Sequence, residues 1–252
     1  MEHDAISILA DMIKNADRLV AFTGAGISTE SGIPDFRSPG GIWTRYKPVT
    51  YQEFLGSEKA REDYWARYKE FFPPFETVQP NAGHLALAKL EHQGRLRGII
   101  TQNIDRLHQA AGNDDVNVVE LHGRVDRTVC LTCGIDRPTS EVISKINQER
   151  PVPHCTCGGW LKPATISFGQ ALPEHALDRA VHLATHCDLF LAIGSSLTVH
   201  PAAALPGLAV EGGANLVIIN AEATPYDRIA RLVVNKPAGQ TLSDAIERLE
   251  RS

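Results

Sequence analysis

Apolar residues recur along the chain in short blocks of two kinds. In 5–16 (AISILADMIKNA) they fall at three- and four-residue intervals, which predicts an amphipathic helix. RLVAFTGAGIS then runs from apolar residues into glycines, which predicts a buried strand over 18–23 and a tight turn after it. The alternation continues. A helical segment at 84–93 leads to a strand at Gly98–Thr101. Further strands are expected at 116–123, 188–196, 214–222 and 231–235, with helices at 174–186, 201–211 and 239–250. Short apolar strands alternating with helices imply an α/β fold whose parallel sheet is covered on both faces.

Two stretches break the rhythm. Residues 41–77 are dense in aromatic and charged side chains and read as small helices, and 126–162 hold four of the five cysteines. Both read as insertions, leaving 1–40, 78–125 and 163–252 for the main domain.

Composition narrows the class. An apolar fraction of 43% and a charged fraction of 22% are ordinary for a soluble globular chain. Net charge is −5 with no long basic run, which argues against a nucleic-acid groove. No apolar stretch approaches the roughly 20 residues that cross a bilayer, and Met1-Glu2-His3-Asp4 lacks the basic start of a signal peptide. A cytoplasmic protein is expected. In that reducing setting a cysteine cluster points to metal, and the isolated Cys187 reads as a core residue.

Candidate chemistry collects at strand ends. Gly24, Ala25 and Gly26 follow the first strand, where glycines let a backbone approach a pyrophosphate. The full G-x-G-x-x-G pattern is not met, and a plain strand-to-helix turn is an equal reading. Asp35, Phe36 and Arg37 then set an acid, a ring and a base side by side after Pro34, which suits a nucleotide. Gln102, Asn103 and Asp105 follow the next strand and can hydrogen-bond a carboxamide and a ribose, or simply cap a helix. His122 ends the third, as a structural histidine or a general base. Gly194, Ser195 and Ser196 end the fourth and Asn220 the fifth. Five polar clusters on one sheet edge are hard to explain as caps.

The cysteines pair as Cys130 with Cys133 and, 21 residues on, Cys155 with Cys157. That spacing suits a tetrahedral zinc with no open position, hence a structural ion. The second pair is C-x-C, so His154 competes with Cys155 as the fourth ligand.

Together GAGIS with SGIPDFR, TQNIDRLH, LHG, the paired cysteines, SFG, GSSLTV and IIN resemble the sirtuin family of NAD-dependent protein deacylases, in family order over almost the whole chain. The resemblance implies a Rossmann-like domain with a small module of one helical and one zinc-binding insertion, and NAD between the two. It assigns NAD contacts to Gly24, Ala25, Asp35, Phe36, Arg37, Gln102, Asn103, Asp105, Gly194, Ser195, Ser196, Asn220 and Ala238. His122 falls at the family's base, assisted by Asn103 and Asp105, and Phe168, Gly169 and Val199 flank an acyl-lysine peptide or protein. The implied products are free lysine, nicotinamide and O-acyl-ADP-ribose. Transfer of ADP-ribose to protein, or non-catalytic sensing of NAD or ADP-ribose, are the alternatives. Gln170 and Ala164-Thr165 depart from the family pattern. Tyr64 and Arg67, within YWAR, resemble the pair with which some sirtuins bind acidic acyl chains, and the segment is closer to a lipoamidase-like branch. At i and i+3 they share a helix face that could hold a carboxylate, or pack exposed on Trp43.

Overall fold

The computed structural model describes residues 4–35, 41 and 47–251. The predicted alternation builds one parallel sheet. Its strands are β1 (Leu19–Thr23), β2 (Leu96–Thr101), β3 (Val118–Glu120), β7 (Leu189–Ile193), β8 (Asn215–Ile219) and β9 (Leu232–Val234), in the spatial order β3-β2-β1-β7-β8-β9. The order reverses between β1 and β7. In open α/β sheets that switch point opens a crevice beyond the strands' carboxyl ends.

The strands are apolar on both faces because both are covered. Leu19 and Ala21 of β1 face one cluster with Leu191, Val217 and Ile219, covered by helices α1 (Ala5–Asn15), α5 (Ala82–His92) and α10 (Ala238–Arg251). Val20 and Phe22 face the opposite cluster with Phe190 and Ile218, covered by α8 (Glu174–Thr185) and α9 (Leu205–Glu211). Adjacent residues of one strand thus feed two cores, as the two-residue period requires.

Between β1 and β2 the chain forms helices α2 (Tyr51–Gly56), α3 (Glu58–Phe71) and α4 (Pro73–Thr77) ahead of α5, α2 opening on a capping box of Thr50 and Glu53. The cysteine-rich stretch forms an antiparallel sheet, β5-β4-β6, from β4 (Gly123–Cys130), β5 (Asp136–Pro138) and β6 (Leu161–Thr165), with a short helix α7 (Thr139–Ile143). Phe54, Trp65, Tyr68 and Phe72 share one apolar cluster with Val125, Cys130, Cys155 and Leu161. The two stretches therefore bury a common core rather than standing apart.

Two expectations need correction. The strand expected over 116–123 holds only Val118–Glu120: a 3₁₀ turn at Asp115–Asn117 precedes it, and a turn at Leu121–His122 carries the chain into the second sheet. The helix expected over 201–211 begins as a 3₁₀ turn, Ala202–Ala204, and becomes regular at Leu205, ahead of Pro206 in its first turn. Among the described residues no helix is long and apolar enough to cross a membrane.

Candidate active site

The loops after β1 and β7 meet across the switch point. Gly24 N donates to Ile193 O at 3.0 Å and Gly26 N to Gly194 O at 2.8 Å. A Cβ on Gly24 would lie 2.7 Å from Gly194 O, and one on Gly26 2.8 Å from Gly194 Cα. Gly194 itself has φ +61°, and a Cβ there would lie 2.3 Å from Ile27 N. The glycines are thus required by two backbones packed face to face, a reason not visible in the first loop alone.

Beyond these loops lies a cavity of about 1390 Å³. Gly24, Ala25, Asp35, Gln102, Asn103, His122, Gly194, Ser195, Ser196, Asn220 and Ala238 line it, as do Tyr64, Arg67, Phe168, Gly169 and Val199. Gly24, Gln102, Gly194 and Asn220 converge because each follows a strand of the parallel sheet at one edge, and Ala238 because it begins α10. Tyr64 and Arg67 reach the cavity from the middle of α3, and Phe168 and Gly169 from the loop after β6 of the second sheet. Phe36 and Arg37, and the Trp43 contact weighed for Arg67, lie outside the described residues. Asp105 stands behind the wall rather than in it. Its carboxylate accepts from Ser28 Oγ at 2.7 Å and from Leu107 N at 2.9 Å, and burial raises its pKa.

The wall is held by directed hydrogen bonds. Gln102 Nε2 donates to Ser195 Oγ at 2.7 Å, tying the loop after β2 to the loop after β7. Asn103 Nδ2 donates to Gly24 O and to Ser28 Oγ, both at 3.1 Å. His122 Nδ1 lies 2.9 Å from the carbonyl of Gln102. A carbonyl only accepts, so Nδ1 carries the proton and Nε2 is the basic nitrogen. Burial lowers the His122 pKa and the Gln102 carbonyl partly offsets this, so the ring is a neutral base at neutral pH.

Tyr64 and Arg67 both face the cavity from α3, half-buried rather than exposed. Tyr64 Oη lies 3.3 Å from Thr165 Oγ1, and Arg67 Nη1 donates to Lys47 O. Sequence reasoning missed Ile104, Ile166 and His200, which also line the cavity, and His84, buried beneath it against Ser28. Ile166 adjoins the SFG motif, but a lone apolar residue carries no signal of its own.

The four clustered cysteines come together away from the cavity, all with ligand atoms within 4.8 Å of one another. Cys130 Sγ lies 3.5 Å from Cys157 Sγ, and Cys133 Sγ 3.7 Å from Cys155 Sγ. Sulfurs each about 2.3 Å from a tetrahedral zinc stand about 3.8 Å apart, so the set fits that ion. His154 is outside the group and contributes only a backbone bridge to Trp160. Cys187 is buried, and burial pushes its thiol up to about 11, as befits a core residue.

The family model described as Sir2 family matches residues 24–201. The chain belongs to the Sir2 family. An NAD-dependent protein deacetylase of Rhodopseudomonas palustris is 51% identical, over 93% of each chain. A protein of the same name from Thermodesulfovibrio yellowstonii is 45% identical over 97% of this chain and 95% of that one. Among solved sirtuin structures, Sir2 with a p53 peptide and NAD+ superimposes with a TM-score of 0.89 at 38% identity, covering 98% of this chain and 99% of that one. Sir2 bound to acetylated peptide gives 0.88 at 36% identity, with 98% and 99% covered.

Proposed function

We propose that this chain removes acyl groups from protein lysine side chains and consumes NAD in doing so. One observation carries the reading: residues from the ends of β1, β2, β7 and β8 and from the start of α10 line a single cavity with a neutral imidazole in its wall. When bound, NAD would supply an electrophilic ribose carbon for the acyl oxygen, nicotinamide as the group that leaves that carbon, and the ribose hydroxyl that accepts the acyl group. Ala25, Asp35, Ser196, Asn220 and Ala238 belong to its nucleotide side in this reading, with Phe36 and Arg37. Gly24 and Gly194 shape the loops, and Gln102 and Asn103 orient the carboxamide end. Asp105 acts through Ser28, whose hydroxyl it fixes beside Asn103. His122 takes a proton at Nε2 from a ribose hydroxyl while Gln102 holds its Nδ1–H. Phe168, Gly169 and Val199 hold the peptide, and Tyr64 with Arg67 reads the far end of the acyl chain.

Residues 41–77 and 126–162 make up the small module over the cavity, and zinc on Cys130, Cys133, Cys155 and Cys157 would hold its shape without entering the chemistry. Five unpaired thiols support a cytoplasmic setting, and the dispersed cations of an acidic chain support protein rather than nucleic-acid partners.

The test is a panel of acetyl, succinyl, glutaryl and long-chain acyl peptides with NAD. The wild type should release nicotinamide and free lysine, and His122→Ala should not. Arg67→Met should depress turnover of the acidic chains alone. Near-full turnover by His122→Ala refutes the base assignment, and equal losses on acetyl peptide reduce Arg67 to a packing residue.

A further inference from the structure

Strand β6 crosses from the cysteine-rich sheet to the cavity wall, and its partner β4 leaves it part-way. Thr128 pairs with Pro163 but Gly123 pairs with Thr165, so four residues of β4 stand against Ala164 alone. A bulge of this kind leaves carbonyls of the shorter strand without ladder partners.

Lys162 fills the gap. Its side chain is 1% exposed, and Nζ donates to Thr165 O at 2.5 Å and to Pro163 O at 3.3 Å. The Tyr64 ring lies near the ammonium, its centroid 5.8 Å away. Among the described residues no carboxylate pairs with it, and burial pushes its pKa down to about 8. A buried ammonium without a counter-ion is costly, and a methionine of similar size would fill the space without that penalty. What the ammonium holds is the tip of β6. Thr165, Ile166 and Phe168 line the cavity from that tip. Ile166 N donates to His122 O at 2.9 Å, and Thr165 Oγ1 faces Tyr64.

We propose that Lys162 is a positioning residue for the acyl-lysine substrate, its ammonium bracing the end of β6 so that Thr165–Phe168 stays seated against His122 and Tyr64. The substrate in this statement rests on the deacylase reading; the brace rests on the geometry of β4 and β6.

Steady-state kinetics and amide exchange test it together. Lys162→Met should raise KM for acetyl-lysine peptide about 10-fold, with kcat and the Kd for NAD within about 2-fold of wild type, the scale of one lost charge-assisted hydrogen bond. Lys162→Arg returns a donor and should bring KM back to within about 3-fold of wild type. Exchange of the Ile166 amide, followed by NMR, should be faster in the Met variant whether or not peptide is turned over. Should Lys162→Met not fold, Lys162→Gln, a shorter neutral donor, takes its place in both measurements. Unchanged KM with unchanged Ile166 exchange overturns the proposal. So does an equal loss of NAD and peptide affinity in the Met and Arg variants, which marks a general structural role. A wild type that turns over no acyl peptide refutes the deacylase reading, and Ile166 exchange then decides the brace alone.

Discussion

At the scale of single residues, two positions concentrate the physics. His122 is a base because of where its proton is held: Gln102 O fixes Nδ1–H, and burial keeps the ring neutral below its ordinary 6.5. The acid limb of kcat/KM against pH, which reports the free enzyme, should therefore fall below pH 6.5. A limb centred above pH 7 would show that another group governs the step. Gly194 is the second. With φ +61° and a virtual Cβ 2.3 Å from Ile27 N, it tolerates no side chain without moving the first loop. Gly194→Ala should cost about 3 kcal/mol, read as a lower denaturation midpoint at unchanged slope. A variant as stable as wild type would mean that the loops are not interlocked. Such residues were legible to different depths. Strand-end position was enough to single out His122 and Gly194. That Asp105 stands behind the wall was not legible, because which way a loop carboxylate turns depends on Ser28, seventy-seven positions earlier.

At the scale of elements, the hydrophobic periods were informative wherever a segment feeds a core. The helices at Ala5–Asn15 and Glu174–Thr185 and the strand at Leu189–Ile193 fall where their apolar spacing puts them. One misplaced bound lies where the chain changes sheets: Leu121 extends the apolar pattern past Glu120, but it and His122 belong to a turn, since β4 is already pairing with β6 at Gly123. Local pattern cannot report a partner that is distant in sequence. The cysteine site shows the same division. Spacing identified a four-ligand centre, whereas the choice of Cys155 over His154 needed the fold of the C-x-C turn, where Cys155 N bonds to Gly159 O. Because Cys130 and Cys155 share an apolar cluster with Trp65 and Phe54, the ion should stabilise α3 as well as its own turns. Chelation should release one zinc per chain and change tryptophan fluorescence, since two of the three tryptophans, Trp65 and Trp160, border this region, while the parallel sheet keeps its far-UV signal. Full loss of secondary structure on chelation would contradict that separation.

At the scale of the whole molecule, the architecture was legible because six apolar strands covered on both faces leave few alternatives, and the switch point then locates the cavity. What joins its parts lies deeper. His84 and His108 are buried beneath the site, His84 brought down to about 4 by burial and His108 held well below its ordinary value by burial and by His84. Between that value and the unfolded 6.5, the unfolded chain binds protons that the folded one refuses. Stability should be fully present above pH 6.5 and fall as pH drops toward 4, His84 alone accounting for about 3 kcal/mol at the lower end. Denaturant titrations at several pH values check this. His84→Gln should flatten the dependence, and an unchanged slope would remove His84 from the account. The claim on which the rest depends is that one cavity takes up NAD and an acyl-lysine together and passes the acyl group between them. Mass spectrometry of a single incubation with acetyl-lysine peptide tests it most directly. Free lysine peptide, nicotinamide and O-acetyl-ADP-ribose should appear in equal amounts; free acetate without nicotinamide, or ADP-ribose attached to protein with the acetyl group still in place, would contradict it.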